Sequence, residues 1–146
     1  MRCVCLNDRS QRPALLTAIA EGSVIYCGRS NAHFGLKGSA LGNPCSIPSV
    51  ACPVCGVVHY PSGRANAEQQ GQSVQCYRKW LWKKLNEHDA AVVDAINQLN
   101  CNSVLACWCV ADDAPEATER CHEVCHTQVI AKAHGWYTDW QGSAVE

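Results

Sequence analysis

The chain lacks any strong excess of charge. Its 146 residues carry 12 basic and 13 acidic side chains, for a formal net charge of −1, so no global basic bias marks a general nucleic-acid binder. A local basic face stays open, because residues 78–84, RKWLWKK, hold four of the 12 basic residues. Long hydrophobic runs are missing too. No stretch approaches the roughly 18 apolar residues of a membrane span, and no membrane partner is expected. The opening segment MRCVCLNDRSQRP has no apolar core of a signal peptide, which predicts a cytoplasmic protein with reduced thiols. There is no internal repeat, no low-complexity segment and no GxGxxG nucleotide fingerprint. The zinc-deaminase signature is incomplete: CPVC supplies one half, but HEV lies far downstream in the wrong order, which argues against a cytidine deaminase.

What the chain has in abundance is cysteine. Twelve of them come to about 8% of the residues, the level at which cysteine usage becomes informative. In a secreted domain such a number means disulfides, and in a reducing compartment it means metal ligation or thiol chemistry. Apolar residues make up 47% and charged residues 17%, as in an ordinary globular protein. The length suits one domain spanning 1–146 around one core.

Residues 2–6 form a short candidate strand, and Pro13 sits in the first turn of a helix that Gly22 ends. SVIYC (23–27) is a compact apolar run and reads as a buried strand. Residues 28–44 carry four glycines and form a long loop, and 45–72 continue irregular. From Ser73, Val74, Tyr77, Trp80, Leu81 and Leu85 keep to one helical stripe. A second helix follows a break at His88-Asp89, and SVLAC (103–107) is another buried strand. After a polar, acidic loop, Cys121 to His134 has helical spacing, with Gly135 as its cap and a tail holding two of the five tryptophans. The order β-α-β-loop-α-α-β-α predicts an α/β fold: a small single-domain sandwich with a short, mostly parallel sheet. Ligands of such sheets sit at the carboxyl ends of the strands, where Cys27-Gly28-Arg29 and Cys107-Trp108-Cys109 emerge.

Cys52-Pro53-Val54-Cys55-Gly56 is a zinc-knuckle sequence. Two cysteines two residues apart let consecutive amides turn toward the sulfurs, and the glycine permits the left-handed turn. Adding Cys45 and His59 makes a closed Cys₃His set, with Cys76, Cys3 or Cys5 as alternatives for Cys45 or His59. A structural zinc would order a loop that has little core of its own. A redox CxxC is the weaker alternative, since the motif does not open a helix.

A second cluster gathers Cys107, Cys109, Cys121, His122, Cys125 and His126. Alternation puts Cys107 and Cys109 on one strand face. Helical spacing would stack Cys121 over Cys125 and His122 over His126. A second zinc site, a metal-free catalytic Cys125-His126 pair and buried inert thiols all fit this pattern.

VIYCGRS, GSALGNP, CYRKWL, LACWC and CHTQVIAKA, in that order along residues 24–133, resemble a family of small phage and bacterial proteins catalogued as a domain of unknown function, number four-three-two-six. The resemblance carries Gly28, Arg29, Asn43, Pro44, Tyr77, Trp80, Leu81, Cys107, Cys109, Cys125 and His126 onto family positions. It implies a small α/β domain, often phage-encoded and then at work in the host cytoplasm, and it supplies no settled activity. Two stretches depart from the family pattern. Residues 45–63 look like an inserted knuckle, and residues 112–124 lengthen the link between Cys-x-Cys and Cys-His, so that Cys121 and His122 look like additions.

Together these readings lead to an expected zinc-binding enzyme, with one or two zinc ions per chain, acting on a nucleobase, nucleotide or nucleic acid by group transfer such as methylation or by hydrolysis. Gly28, Arg29, Ser30 and Asn43 would bind the substrate, with the Arg29 guanidinium suited to a phosphate or carboxylate. Arg29, Cys125 and His126 are the candidate catalytic groups. The competing expectation is a zinc-stabilised binding module for nucleic acid or protein, presenting the basic, aromatic RKWLWKK helix.

Overall fold

The computed structural model describes residues 1–62, 65–108 and 125–145, with side chains beyond residue 138 and at Ala67 left aside. Three short strands, β1 (Arg2–Cys5), β2 (Ile25–Tyr26) and β3 (Val104–Cys107), form a parallel sheet in the order β1-β3-β2. Cys3 lies beside Leu105, Cys5 beside Cys107, and Tyr26 beside Ala106. Parallel neighbours need long crossovers, and helices supply them. They are α1 (Arg12–Glu21), α2 (Ala67–Asn86), α3 (Ala90–Asn97) and α4 (His126–Val145). The expected α/β class and element order therefore hold, with all the described strand pairs parallel.

Alternation along β3 divides the core in two. Ala106 and the partly buried Val104 face α1, packing with Tyr26, Leu15, Leu16 and Ile19. Leu105 faces the other way, into a larger core with Tyr77, Leu81, Leu85, Ile96, Ile130 and Tyr137 from α2, α3 and α4. The sheet is thus the middle of three layers. Cys3 and Cys5 point to the same side as Leu105 and Cys107, beneath the start of α4.

Two helix boundaries differ from the sequence reading. Helix α2 begins at Ala67, not near Ser73, because Asn66 caps it. The Asn66 side chain accepts from the Gln69 amide at 2.8 Å while the Gln69 side chain accepts from the Asn66 amide at 2.9 Å. That first turn and a half is polar and shows no apolar stripe, so capping chemistry rather than burial starts the helix. Helix α4 begins at His126 and continues through Gly135 to Val145. Cys125 therefore precedes the helix, and the stacking inferred from helical spacing does not apply to it. Gly135 does not stop α4 because the turn beyond it is anchored: Tyr137 is buried and Trp136 packs against Trp82 of α2.

The long 28–44 loop is tied down by its own polar groups. The Asn43 side chain accepts from the Cys45 amide at 2.8 Å and donates to Ser73 Oγ of α2 at 3.0 Å. Tyr77 Oη donates to the Leu41 carbonyl at 2.7 Å. At Gly28 a Cβ would collide with the Tyr26 ring and its hydroxyl, so only glycine lets the chain turn there. That hydroxyl donates to the Arg29 carbonyl at 2.6 Å and accepts from the Trp108 indole at 2.9 Å, joining the loops that leave β2 and β3.

Candidate metal centre

The knuckle forms as its spacing requires. Gly56 takes a left-handed conformation with φ +78°, and its amide donates to the Cys52 carbonyl at 2.9 Å. The Val54 amide donates to Cys52 Sγ at 3.4 Å, the turn that stabilises a thiolate. Helix α2 then brings Cys76 from the core side. The donor atoms of Cys52, Cys55, His59 and Cys76 all lie within 4.8 Å of one another, and Cys55 Sγ sits 3.3 Å from His59 Nε2. Three thiols and one imidazole this close can hold a metal ion in tetrahedral geometry. His59 is buried, with Nε2 facing Cys55 and Nδ1 without a hydrogen-bond partner among the described residues. Cys45 is buried against Cys52 and Cys76 but stands outside that four-donor group.

The four-donor set contains opposed thiols. Burial works against ionisation of Cys52, yet the amides of Cys55 and Val54, with Cys45 and His59, outweigh it and hold the thiol down to about 6. Cys76 is pushed up to about 12, first by burial and then by its contacts with Cys55 and Cys52. Burial, with a hydrogen bond to Cys52, also raises Cys45. Cys52 is thus the sulfur that is ionised before a metal arrives, and Cys76 must surrender a proton to it.

A pH dependence follows from these two groups. Metal binding at pH 7 should displace a proton from Cys76 and almost none from Cys52. Below about pH 6 Cys52 is protonated as well, and each further unit of acid should cost roughly one additional factor of ten in affinity. Competition with a chelating dye across pH 5–8 measures this. A slope that does not steepen below pH 6 would exclude Cys52 as the pre-ionised ligand. In the metal-free protein the same lowered Cys52 value favours the folded state at high pH, and that contribution is lost as pH falls from about 9 to about 6.

The second constellation is made of Cys3 on β1, Cys107 at the end of β3 and Cys125 before α4, whose sulfurs also lie within 4.8 Å of one another. Cys107 and Cys125 are fully buried. Cys3 Sγ is 3.9 Å from Cys125 Sγ, close to the roughly 3.8 Å edge of a tetrahedral zinc-thiolate set. Cys107 Sγ is 2.9 Å from Cys125 Sγ, shorter than that edge and longer than the roughly 2.05 Å of a disulfide. Thr127 closes the group: its hydroxyl is 2.8 Å from Cys3 Sγ and 3.0 Å from Cys125 Sγ, and its amide donates to Cys125 Sγ at 3.5 Å. Cys125 is the N-cap of α4, where the helix amides favour a thiolate. Cys27 is near enough to Cys125 and Cys3 to feel both, and burial pushes its thiol up to about 12.

Cys109, Cys121 and His122 lie outside the described residues. His126 is buried but not within the three-thiol group. Its Nε2 donates to the Cys27 carbonyl at 2.7 Å, and its ring meets Tyr77 edge-on at 5.1 Å. Arg29 and Ser30 are exposed at the end of β2, with Arg29 reaching the Ser46 carbonyl at 3.3 Å. Both ends of the Asn43 amide are engaged within the protein. By sequence, Cys3 and Cys76 are only alternative knuckle ligands. Nothing in their spacing distinguishes them; Cys76 hides inside an amphipathic helix stripe and Cys3 at the start of a strand. The protein is cysteine-rich, with two side-chain clusters of a kind that could hold a metal ion, and no helix among the described residues is long and apolar enough to cross a membrane.

Residues 16–136 match the family model described as "Domain of unknown function (DUF4326)", and the chain belongs to that family. No curated protein and no solved structure matches it.

Proposed function

We propose that this member of the family is a zinc protein with two unlike centres: a structural site in the knuckle and a working site among Cys3, Cys107 and Cys125. In this reading one domain spans 1–146, and residues 45–63 are an insertion within it. The observation that carries it is the asymmetry of the two clusters. The knuckle set offers four donors, as closed structural sites do, whereas the second set, three thiols among the described residues, has Cys3 in the wall of an open pocket. The second set also lies on the sheet side covered by the start of α4, next to the loops that leave β2 and β3.

The proposed activity is chemistry on a nucleobase, nucleotide or nucleic acid, by group transfer or hydrolysis. Zinc held by thiolates supplies either an activated water or a nucleophilic thiolate. The chain's own groups would do the rest. Thr127 and the α4 amides stabilise negative charge on Cys125. His126 acts as a positioning residue, tying the start of α4 to the Cys27 carbonyl at the end of β2. Gly28, Arg29 and Ser30 would contact substrate from the β2 end, and Asn43 would hold their loop in shape.

A binding module without catalysis is the second reading. Trp82 is 47% exposed and lies over Trp136 with ring centroids 3.8 Å apart, beside exposed Arg78, Lys79 and Lys83. Such a surface can stack a base and meet its phosphate. Against it, Lys83 and Lys84 are shared with Glu87 and Asp89 at 3.7 and 3.4 Å.

Zinc-loaded protein incubated with nucleosides, mononucleotides and single-stranded oligodeoxynucleotides should yield a base altered in mass, with and without a methyl donor such as S-adenosylmethionine. Cys125→Ser should abolish that product. Unchanged substrates throughout, with oligonucleotide binding that Trp82→Ala removes, would replace the enzyme reading with the binding one.

A further inference from the structure

A pocket of about 300 Å³ opens between the start of β1 and the flank of α4, at the small end of the roughly 300–1,000 Å³ range for small-molecule sites. Cys3 and Thr127 belong both to its wall and to the three-thiol group. The pocket therefore meets the edge of the thiol group from outside, at Cys3. Its lining includes two cations, Arg2 from β1 and Lys132 from α4, and no acidic side chain among the described residues. Gln128 adds an amide, and Leu105 an apolar wall. Arg2 and Lys132 are both exposed and take part in none of the ion pairs among the described residues.

We infer that this pocket is a ligand site of the thiol centre, in addition to the substrate contacts at the β2 end, and takes a small phosphate-bearing molecule, with Arg2 and Lys132 on the phosphate and Cys3 at the inner end. The inference rests on the reading of the thiol group as the working centre, since that group gives a ligand there something to react with. Two cations from different elements facing one cavity, with no counter-charge among the described residues of its wall, repel each other until an anion arrives. Charged donors to phosphate make the stronger class of hydrogen bond, and a guanidinium can make two at once. The apolar wall leaves room for the uncharged part of the molecule, while Cys3 presents a thiol and Thr127 a hydroxyl.

The test is calorimetric titration of the full-length, zinc-loaded protein with adenosine 5′-monophosphate, inorganic phosphate and adenosine. The monophosphate should bind saturably and adenosine should not. Arg2→Gln and Lys132→Gln should each weaken binding about tenfold or more, the loss expected for one charge-assisted hydrogen bond. Gln128→Glu should abolish binding while leaving both cations in place, and Lys37→Gln, on a distant loop, should change nothing. All four side chains are at least partly exposed, so an unchanged melting temperature is expected and confirms that each variant is folded. Inorganic phosphate binding as tightly, with the same dependence on Arg2 and Lys132, would keep the site and identify free phosphate as its ligand. Monophosphate binding that survives Arg2→Gln and Lys132→Gln, or no binding of either phosphate compound, would overturn the inference. Metal content measured on the same samples separates the two ideas. Metal at the thiol centre without phosphate binding removes the pocket and leaves the centre. Phosphate binding that depends on Arg2 and Lys132, in protein with no metal at the centre, does the reverse.

Discussion

Replacing Cys76 with serine is expected to release one equivalent of metal and to lower the melting temperature by roughly 10 °C. The size of the effect comes from what the knuckle lacks. Val50, Val54, Val57 and Val58 all lie exposed around it, so hydrophobic burial does little to order this segment. Its buried members are Cys45, Cys52 and His59, the residues that meet Cys76. A metal bound there joins the loop to α2, and its binding energy becomes folding energy. Losing one ligand of such a site should cost about 3 kcal/mol, and at about 3 °C per kcal/mol for a domain of this size that gives the stated shift. Cys45→Ser is the informative partner experiment. Cys45 packs against Cys52 and Cys76 but is outside the four-donor group, so this variant should keep its metal and melt within a few degrees of the parent. Elemental analysis and thermal melts of both proteins decide the matter. Metal lost from Cys45→Ser and kept by Cys76→Ser would restore the ligand set first read from spacing.

Cys125→Ser is expected to remove the other equivalent of metal while leaving the knuckle loaded. Its effect on stability should be smaller, on the order of 1–2 kcal/mol for a buried hydroxyl in place of a thiol. The reason is position. Cys125 lies between Cys3 and Cys107, on strands already paired to each other and already covered by α4. Here the metal would sit on a scaffold built by burial, and its loss need not unfold anything. A variant that retains all its metal and only loses stability would show these sulfurs to be core thiols. Among wild-type and variant proteins, the ratio of metal lost to stability lost should therefore differ sharply between Cys76→Ser and Cys125→Ser. That contrast is what a structural site and a working site predict.

The legible parts of this chain were those with local causes. SVIYC and SVLAC announce buried strands because β-branched and apolar residues run together between turn signals. Tyr77, Leu81 and Leu85 announce α2 through their helical spacing, and CPVCG announces the knuckle because a tight turn toward sulfur needs that pattern. The three-layer α/β arrangement then follows from the order of the elements, since parallel strands must be joined by crossovers. The polar first turns of α2 escaped because their cause is a capping box rather than burial. The end of α4 escaped because the burial of Tyr137, a tertiary contact, outweighs the helix-breaking tendency of Gly135.

From the sequence alone came the class of fold, the wealth of thiols and the place of the knuckle. Only the tertiary structure decided which sulfurs meet. Cys3 and Cys125 are 122 positions apart, and they come together because β1 pairs with β3 and α4 starts above that pair. Cys76 reaches the knuckle because α2 carries it there, packed against Cys45 and Cys52 while the neighbouring Tyr77 turns into the main core. Metal ligation and catalysis depend on distances of a few ångströms between side chains, and such distances are set by packing across the whole core, not by spacing along the chain.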